Sequence, residues 1–274
     1  MKDLQETIKT WYSKDLEKRK TWYSPVAEAY NKVRPRYSEE IIDRAVELAK
    51  LSSNATILEV GCGPGNATVG FAKLGFSMVC LEPSQECSQL ARQNCAQYPN
   101  VEIRNTSFEE WELEPGKFNA VLAANAFHWI PPEVGYPKAA DALKNSGYLI
   151  LLWNMTPQPH YEVYQTLNEV YQIYAPSLAQ YEDRKTQEEI LKGLGQIVIN
   201  SGQFQDVVFE YFPCEIIYNV DDYLTLLQTF SPYLKLEQKN KDSLFTGLRA
   251  KIETKFEGSI QLSYLSACHI AQKL

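Results

Sequence analysis

The sequence predicts an α/β fold built on a mostly parallel sheet. Three observations carry this expectation. Short apolar runs alternate with helix-compatible segments: Ile57–Val60, Met78–Leu81, Val101–Arg104, Phe118–Ala124 and Tyr148–Trp153 read as strands. The first run leads into Gly61-Cys62-Gly63-Pro64-Gly65, and a helical segment, Ala67 to Leu74, follows at once. An acid, Glu82, closes the second run, roughly 20 residues on, where a ribose-binding carboxylate belongs in such folds.

The glycine loop is the element that the rest is organised around. Glycine at Gly61 and Gly63 lets the backbone turn tightly and approach a ligand, because no Cβ intervenes. The helix start beyond it offers unpaired N–H groups and partial positive charge. Two ligands suit this arrangement. A dinucleotide calls for G-x-G-x-x-G, but Asn66 occupies the third glycine position. S-adenosylmethionine carries no phosphate. Glu59, an acid inside the first strand, counts against a pyrophosphate, and it suits orienting loop amides or meeting a cationic ligand. Glu82 serves the ribose of either one.

The run Thr56–Thr68 resembles motif I of the S-adenosylmethionine-dependent methyltransferases with a Rossmann-like fold. Glu82-Pro83-Ser84 resembles their second motif, whose acid binds both ribose hydroxyls. The chain is similar to the methyltransferase type 11 and trans-aconitate methyltransferase-like group. The resemblance implies a seven-stranded, mostly parallel sheet with an antiparallel last strand. It also implies S-adenosylmethionine as cofactor and S-adenosylhomocysteine as product.

Composition sets the outer limits. The 274 residues allow one domain, and 45% hydrophobic with 12% aromatic residues supply a sizeable core. The net charge of −7 argues against a general nucleic-acid binder, which needs a basic surface. Six cysteines without a C-x-x-C pair read as free thiols in a reducing compartment. The three histidines lack zinc spacing, so no metal is expected. No apolar signal core or long apolar run stands out, which leads to the expectation of a cytoplasmic protein, away from membranes, as monomer or homodimer.

Taken in order, Asp3–Lys20 carries Leu4, Ile8, Trp11, Tyr12 and Leu16 at helical spacing and reads as an amphipathic helix. Tyr30-Asn31-Lys32-Val33-Arg34-Pro35-Arg36-Tyr37 follows. Pro35 holds Arg34 extended. By itself the strip is a polar linker. It resembles the Tyr-x-x-x-Arg-Pro-x-Tyr segment of the same group, which implies that Tyr30 and Arg34 lie over the methionine end of the cofactor, Arg34 pairing with its carboxylate. Ser38 caps a helix from Glu39 to Lys50, and Ser84 caps another through Ala96. Ser107 and Phe108 fall where the resemblance places the adenine. Asn119 replaces the acid usual at the start of the fourth strand.

Asn125-Ala126-Phe127-His128-Trp129-Ile130 lies at the carboxyl end of the fourth strand, where ligands bind in open α/β sheets. Its bland reading is an aromatic corner. Its likeness to the Ala-Phe-His-Trp block of the group implies that Phe127 and His128 face the sulfonium, which aromatic faces attract, and that Trp129 shapes the substrate side. Pro132–Leu143 reads as a helix, and Lys144-Asn145-Ser146-Gly147 as a turn with Gly147 at the permissive position. Trp153-Asn154 ends the fifth strand.

About fifty residues, 155–205, then precede the next strand, more than a crossover needs. Their tyrosine-rich stripe reads as helical cap packing, or as a substrate lid. Asp206–Val220, a helix at Tyr223–Phe230, a charged helix at Leu234–Phe256 and a strand at Ile260–Ile270 complete the chain, the last two strands forming an antiparallel pair at a sheet edge. Thr229-Phe230-Ser231-Pro232-Tyr233 again resembles the group, which implies packing beside a substrate pocket. The chain is thus expected to be one domain over residues 1–274. It comprises an N-terminal helix and lid-like segment (1–37), a cofactor core (38–154), a helical cap (155–205) and completing strands and helices (206–274).

The function expected is methyl transfer to a small-molecule acceptor, with a carboxylate-bearing metabolite among the candidates. Cofactor contacts fall to Tyr30, Arg34, Glu59, Gly61, Cys62, Gly63, Gly65, Glu82, Pro83, Ser84, Ser107, Phe108, Asn125, Ala126 and Phe127. Trp129, Trp153 and Tyr233 are expected at the acceptor, and His128 as the base if the nucleophile needs one. The competing readings are a catalytically idle S-adenosylmethionine-binding protein and an NAD(P)-dependent oxidoreductase.

Overall fold

The computed structural model describes residues 15–274. Its sheet is laid down by the apolar runs. Strands β1 (Thr56–Val60), β2 (Ser77–Leu81), β3 (Val101–Arg104), β4 (Phe118–Ala124) and β5 (Leu143–Asn154) are parallel, in the order β3-β2-β1-β4-β5. Strand side chains alternate between faces, so each central strand feeds two cores. Leu58, Val79 and Val121 enter one, and Ile57, Met78 and Leu122 the other. Helices flank the sheet: α3 (Glu39–Leu48), α4 (Thr68–Lys73), α5 (Gln85–Asn94) and α6 (Pro132–Ala142), preceded by α1 (Leu16–Lys20) and α2 (Ala27–Val33).

The expected caps form. Ser38 Oγ accepts from the Ile41 amide, and Ser84 Oγ from that of Cys87. The helix expected over Asp3–Lys20 is described only as α1, and Leu4, Ile8, Trp11 and Tyr12 lie outside the described residues. The turn at 144–147 differs from expectation. The left-handed residue is Ser146 (φ 61°), not Gly147. Gly147 is needed for space instead, since a Cβ there would stand 3.0 Å from Leu143 and from the Lys144 carbonyl. The segment becomes a bulge inside β5, where the register on β4 shifts. Asn119, in place of an acid, accepts from the Thr56 amide at 3.0 Å and from Lys144 Nζ at 2.9 Å, tying β1 to β4 at the strand starts.

The antiparallel pair forms as expected. Strand β8 (Ser259–Lys273) runs antiparallel between β5 and β7 (Phe204–Asn219). A two-residue strand, β6 (Gln158–Pro159), also pairs with β8 and brings the count to eight rather than seven. The charged helix expected over Leu234–Phe256 forms as α11 (Gln238–Lys255), and a four-residue helix, α10 (Ser231–Leu234), precedes it after α9 (Val220–Gln228).

Residues 155–205 hold two helices. α7 (Tyr161–Tyr174) turns Leu167, Val170 and Tyr171 into a third core with α9 and α11. α8 (Arg184–Asn200) lies on β7 and β8, and its Gly195 leaves room for Phe209, whose ring carbon would stand 2.0 Å from an added Cβ. One polar side chain pins α8 down. The Gln187 side chain, 2% exposed, donates from Nε2 to the Thr156 carbonyl at 2.9 Å, and its Oε1 accepts from the Leu265 amide at 2.9 Å. It stands in for a missing rung where β5 gives way to β6 beside β8. Gln187→Met should therefore cost about 1–3 kcal/mol, because two buried backbone groups lose their partners. Urea denaturation checks this, and an unchanged midpoint at unchanged m-value would refute it.

Candidate functional site

The carboxyl ends of β1, β2 and β4 open into one cavity, as the topology of parallel sheets dictates. Gly61, Gly63 and Gly65 all adopt left-handed φ (66°, 56° and 92°), which side chains other than glycine rarely take. Gly61 is doubly constrained, since an added Cβ would lie 2.7 Å from Ala126 Cβ. The floor of the cavity therefore exists because both residues are small.

Glu82 is the first polar centre. Its side chain, 7% exposed, ends β2 and bridges two turns. The Gly63 amide donates to Oε2 at 2.8 Å, and the Ser84 amide donates to Oε1 at 2.9 Å. Each carboxylate oxygen has a second lone pair, so two further donors can be accepted from the cavity. Desolvation pushes the Glu82 carboxyl up to about 7, opposed by the two amide bonds. Asn105 Nδ2 fixes the same corner from outside by donating to the Glu82 and Pro83 carbonyls.

A second polar centre closes the β4–β5 end. Asn125 sits at φ 50°, a conformation that Asn tolerates better than other side chains. Its Oδ1 accepts from the Tyr37 hydroxyl and from the Asn154 amide at 2.6 Å, and its Nδ2 donates to the Asn154 carbonyl at 2.9 Å. Asn154 Nδ2 reaches the Pro35 carbonyl at 3.1 Å, and its Oδ1 accepts from Ser266 at 2.6 Å. This network holds Pro35 and Tyr37 against the strand ends.

The roof is a strap, residues 15–37. Arg19 donates to Glu109 Oε1 (2.8 Å) and to the Trp129 carbonyl; Lys20 Nζ reaches Glu110 at 3.0 Å. Ser24 and Ser84 hydroxyls bond at 2.9 Å. Tyr23 packs edge-on against Trp129 at 5.9 Å and against Tyr30 at 5.5 Å.

Most sequence-predicted residues meet on this cavity: Tyr30, Arg34, Gly61, Cys62, Gly63, Glu82, Pro83, Ser84, Ser107, Phe108, Asn125, Ala126 and Trp129. Six do not line it. Glu59 is fully buried beneath the loop, where its Oε2 accepts from Thr68 Oγ1 at 2.6 Å, and burial pushes its carboxyl up to about 7. It ties β1 to the first residue of α4 rather than meeting a ligand. Gly65 faces Cys95 and Ala91. Phe127 turns into the core against Tyr136 at 5.0 Å. His128 lies between Trp129 (5.4 Å) and Trp153 (5.7 Å), tilted against both rings, and burial pushes its pKa down to about 3. Trp153 is buried and donates from Nε1 to His269 Nδ1 at 3.1 Å. The Tyr233 hydroxyl meets that of Tyr171 on α7 at 2.6 Å.

Arg34 lines the cavity but is already engaged. Its Nε donates to Thr229 Oγ1 at 2.7 Å and its Nη2 to the Thr229 carbonyl at 2.8 Å, with the guanidinium over the Phe230 ring at 3.9 Å. Three of its five N–H donors, two on Nη1 and one on Nη2, are left by these bonds, so the end of the guanidinium keeps a fork able to meet a carboxylate. Sequence reasoning missed Tyr37 and Asn154, although both stand in quoted strings. It also missed Leu16, Arg19, Lys20, Tyr23, Met155 and Pro157, whose pattern signals only an amphipathic segment and a loop. No cavity-lining residue comes from 158–274, so the insertion at 155–205 roofs nothing beyond its first residues. Among the described residues no cluster of His, Cys, Asp or Glu is arranged for a metal, and no helix is long and apolar enough to cross a membrane.

Residues 57–147, which contain the glycine loop, Glu82 and the 125–130 corner, match the family profile described as a methyltransferase domain. This stretch is a Rossmann-like methyltransferase domain. An uncharacterised methyltransferase of Mycobacterium tuberculosis is 32% identical over 126 residues, 46% of this chain and 49% of that relative; the chain thus spans about half that relative's length. An uncharacterised methyltransferase-like protein of Schizosaccharomyces pombe is 27% identical over 232 residues, 84% of each chain. The fold is shared with the phosphoethanolamine N-methyltransferase 2 of Haemonchus contortus, solved with phosphomonomethylethanolamine and S-adenosylhomocysteine. There the TM-score is 0.53 at 15% identity, covering 93% of this chain and 58% of that one. A structure described as a type II methyltransferase from Anaeromyxobacter dehalogenans gives a TM-score of 0.63 at 18% identity, over 87% of this chain and 97% of that one.

The two buried acids of the methyltransferase domain set a pH signature. A carboxyl whose folded pKa is raised keeps its proton in the folded state after the unfolded chain has lost it, so its contribution to stability falls as pH climbs from its ordinary value near 4.5 to about 7. Burial of His128 and His269 works oppositely below about 6.5, so the acid effect is isolated by comparison. The unfolding free energy of Glu82→Gln minus that of the parent protein should rise between pH 5 and pH 8 and level off above. A pH-independent difference in urea titrations would show that Glu82 is ionised throughout.

Proposed function

We propose that this chain binds S-adenosylmethionine in the cavity above the glycine loop and transfers its methyl group to a small-molecule acceptor. One observation supports the reading most: Glu82 is held by the Gly63 and Ser84 amides with a lone pair of each oxygen left for the cavity. Two adjacent hydroxyls of a ribose match that pair of acceptors. Gly61, where a side chain would strike Ala126, leaves the backbone bare for close approach. Ser107, Phe108, Tyr30 and Arg34 all line the cavity; the first two are proposed for the adenine and the last two for the methionine end.

When bound, S-adenosylmethionine supplies a carbon already activated by its sulfonium. The chain's own residues then have to align the acceptor and exclude water, and orientation alone is worth roughly 7–11 kcal/mol of barrier. The strap, with Tyr23, Tyr30 and Trp129, covers part of the cavity mouth. His128, off the cavity wall and with its basicity lowered to about 3, supports Trp129 from behind rather than serving as base. That favours a nucleophile needing no proton removal, such as a carboxylate. A dinucleotide fits less well: Asn66, at the third glycine position, is engaged by Arg36, and Glu59 lies under the loop.

Glu82→Ala should weaken S-adenosylhomocysteine binding by roughly 10- to 100-fold, as expected for losing charge-assisted hydrogen bonds. Isothermal titration calorimetry checks this, and equal affinity would remove the ribose assignment. Methyl-labelled S-adenosylmethionine, incubated with the protein and a metabolite mixture, should pass label to a small-molecule fraction. Retention of all label in the cofactor would favour an idle binding protein instead.

A further inference from the structure

The turn Thr229-Phe230-Ser231 lines no part of the cavity, yet each of its residues holds the strap that does. Thr229 is fully buried and grips Arg34 twice, through its hydroxyl and its carbonyl. Phe230 lies flat under the same guanidinium. Ser231 Oγ accepts from Trp22 Nε1 at 3.0 Å and bonds the Tyr23 hydroxyl at 3.2 Å. The partners are some 200 residues apart in the chain, so these contacts are tertiary and specific. They reach both halves of the strap: Trp22 and Tyr23 before its bend, Arg34 after α2.

The turn does not depend on the strap for its own shape. The Thr229 amide donates to Leu226, that of Phe230 to Leu227, and that of Tyr233 to Phe230. The Thr229 hydroxyl works in both directions, donating to the Leu226 carbonyl at 2.6 Å while accepting from Arg34. Tyr233, two residues beyond Ser231, is bonded to Tyr171 of α7, so the turn is anchored to the helical layer behind it. A rigid turn gripping an otherwise thin, mostly helical strap is what a latch requires.

We infer that Thr229 and Ser231 are positioning residues, the latch of the cavity roof: they hold residues 22–34 down and so set how fast a bound cofactor escapes. This rests on the cofactor reading above. It assigns the Thr-Phe-Ser string a role in retention of the donor rather than in contact with the acceptor.

The test uses the full chain with S-adenosylhomocysteine as probe, and two readouts. Hydrogen exchange of the ligand-free protein is followed over residues 22–34, and dissociation is followed by stopped-flow displacement. Loss of one hydrogen-bonded hold corresponds to a factor of about ten at most for a neutral pair, and to about ten or more where the partner is a charged guanidinium, as at Thr229. Ser231→Ala should quicken both dissociation and strap exchange about threefold, and Thr229→Val about tenfold, with Thr229→Ser close to the parent protein. Ser231→Ala, partly exposed, keeps the test alive if the buried Thr229→Val fails to fold. Unchanged strap exchange and unchanged dissociation in Ser231→Ala would overturn the latch. If the parent protein binds no S-adenosylhomocysteine, the cofactor reading fails alone, and strap exchange still decides the latch.

Discussion

A carboxylate deprived of water at the end of a buried strand is the constraint on which the site depends. Glu82 pays for its burial only in part with two backbone amides. Those amides belong to the glycine loop and to the cap of α5, so one side chain sets the distance between two turns that would otherwise drift. The positive φ values of Gly61 and Gly63 are what bring the loop amide within reach. The same side chain also lines the cavity, so the loop, the cap and the cavity wall share one carboxyl group.

The strands and the floor of the site were legible because they rest on short-range rules. Short apolar runs predict β1, β2, β3 and β4, and the structure places each within one residue of the expected bounds. Ser38 and Ser84 cap as their side-chain chemistry dictates. The failures have identifiable causes. Glycine at Gly147 suggested conformational freedom, but steric room was its reason, and Ser146 took the unusual backbone angle. Phe127, His128 and Trp153 follow a pattern that signals aromatic density without saying which ring faces inward; Tyr136 and His269 decide that from distant elements. The tie from Arg34 to Thr229, 195 residues away, has no local signal at all.

The division of labour between strap and insertion follows from packing. α7 and α8 bury their apolar stripes against the sheet extension and α11, which leaves them structural. The strap buries Ala27 and Val33 of α2, whereas α1 contributes no buried residue. The part before α2 is held largely by polar ties: Arg19 to Glu109, Ser24 to Ser84, Trp22 to Ser231. Such ties exchange readily for water, which suits a cover that a ligand must pass. The core helices could not be lifted at comparable cost.

The placement of β8 carries a consequence for biogenesis. Residues 259–273 lie inside the sheet, between β5 and β7, and not at its margin. As the polypeptide leaves the ribosome, the long apolar edge of β5 therefore stays unpaired until nearly all of the described chain has been made. An exposed edge of that kind invites pairing with other chains. Loss of residues 259–273 would leave that edge bare for good, so this order of strands makes the sheet intolerant of truncation from the C-terminal side.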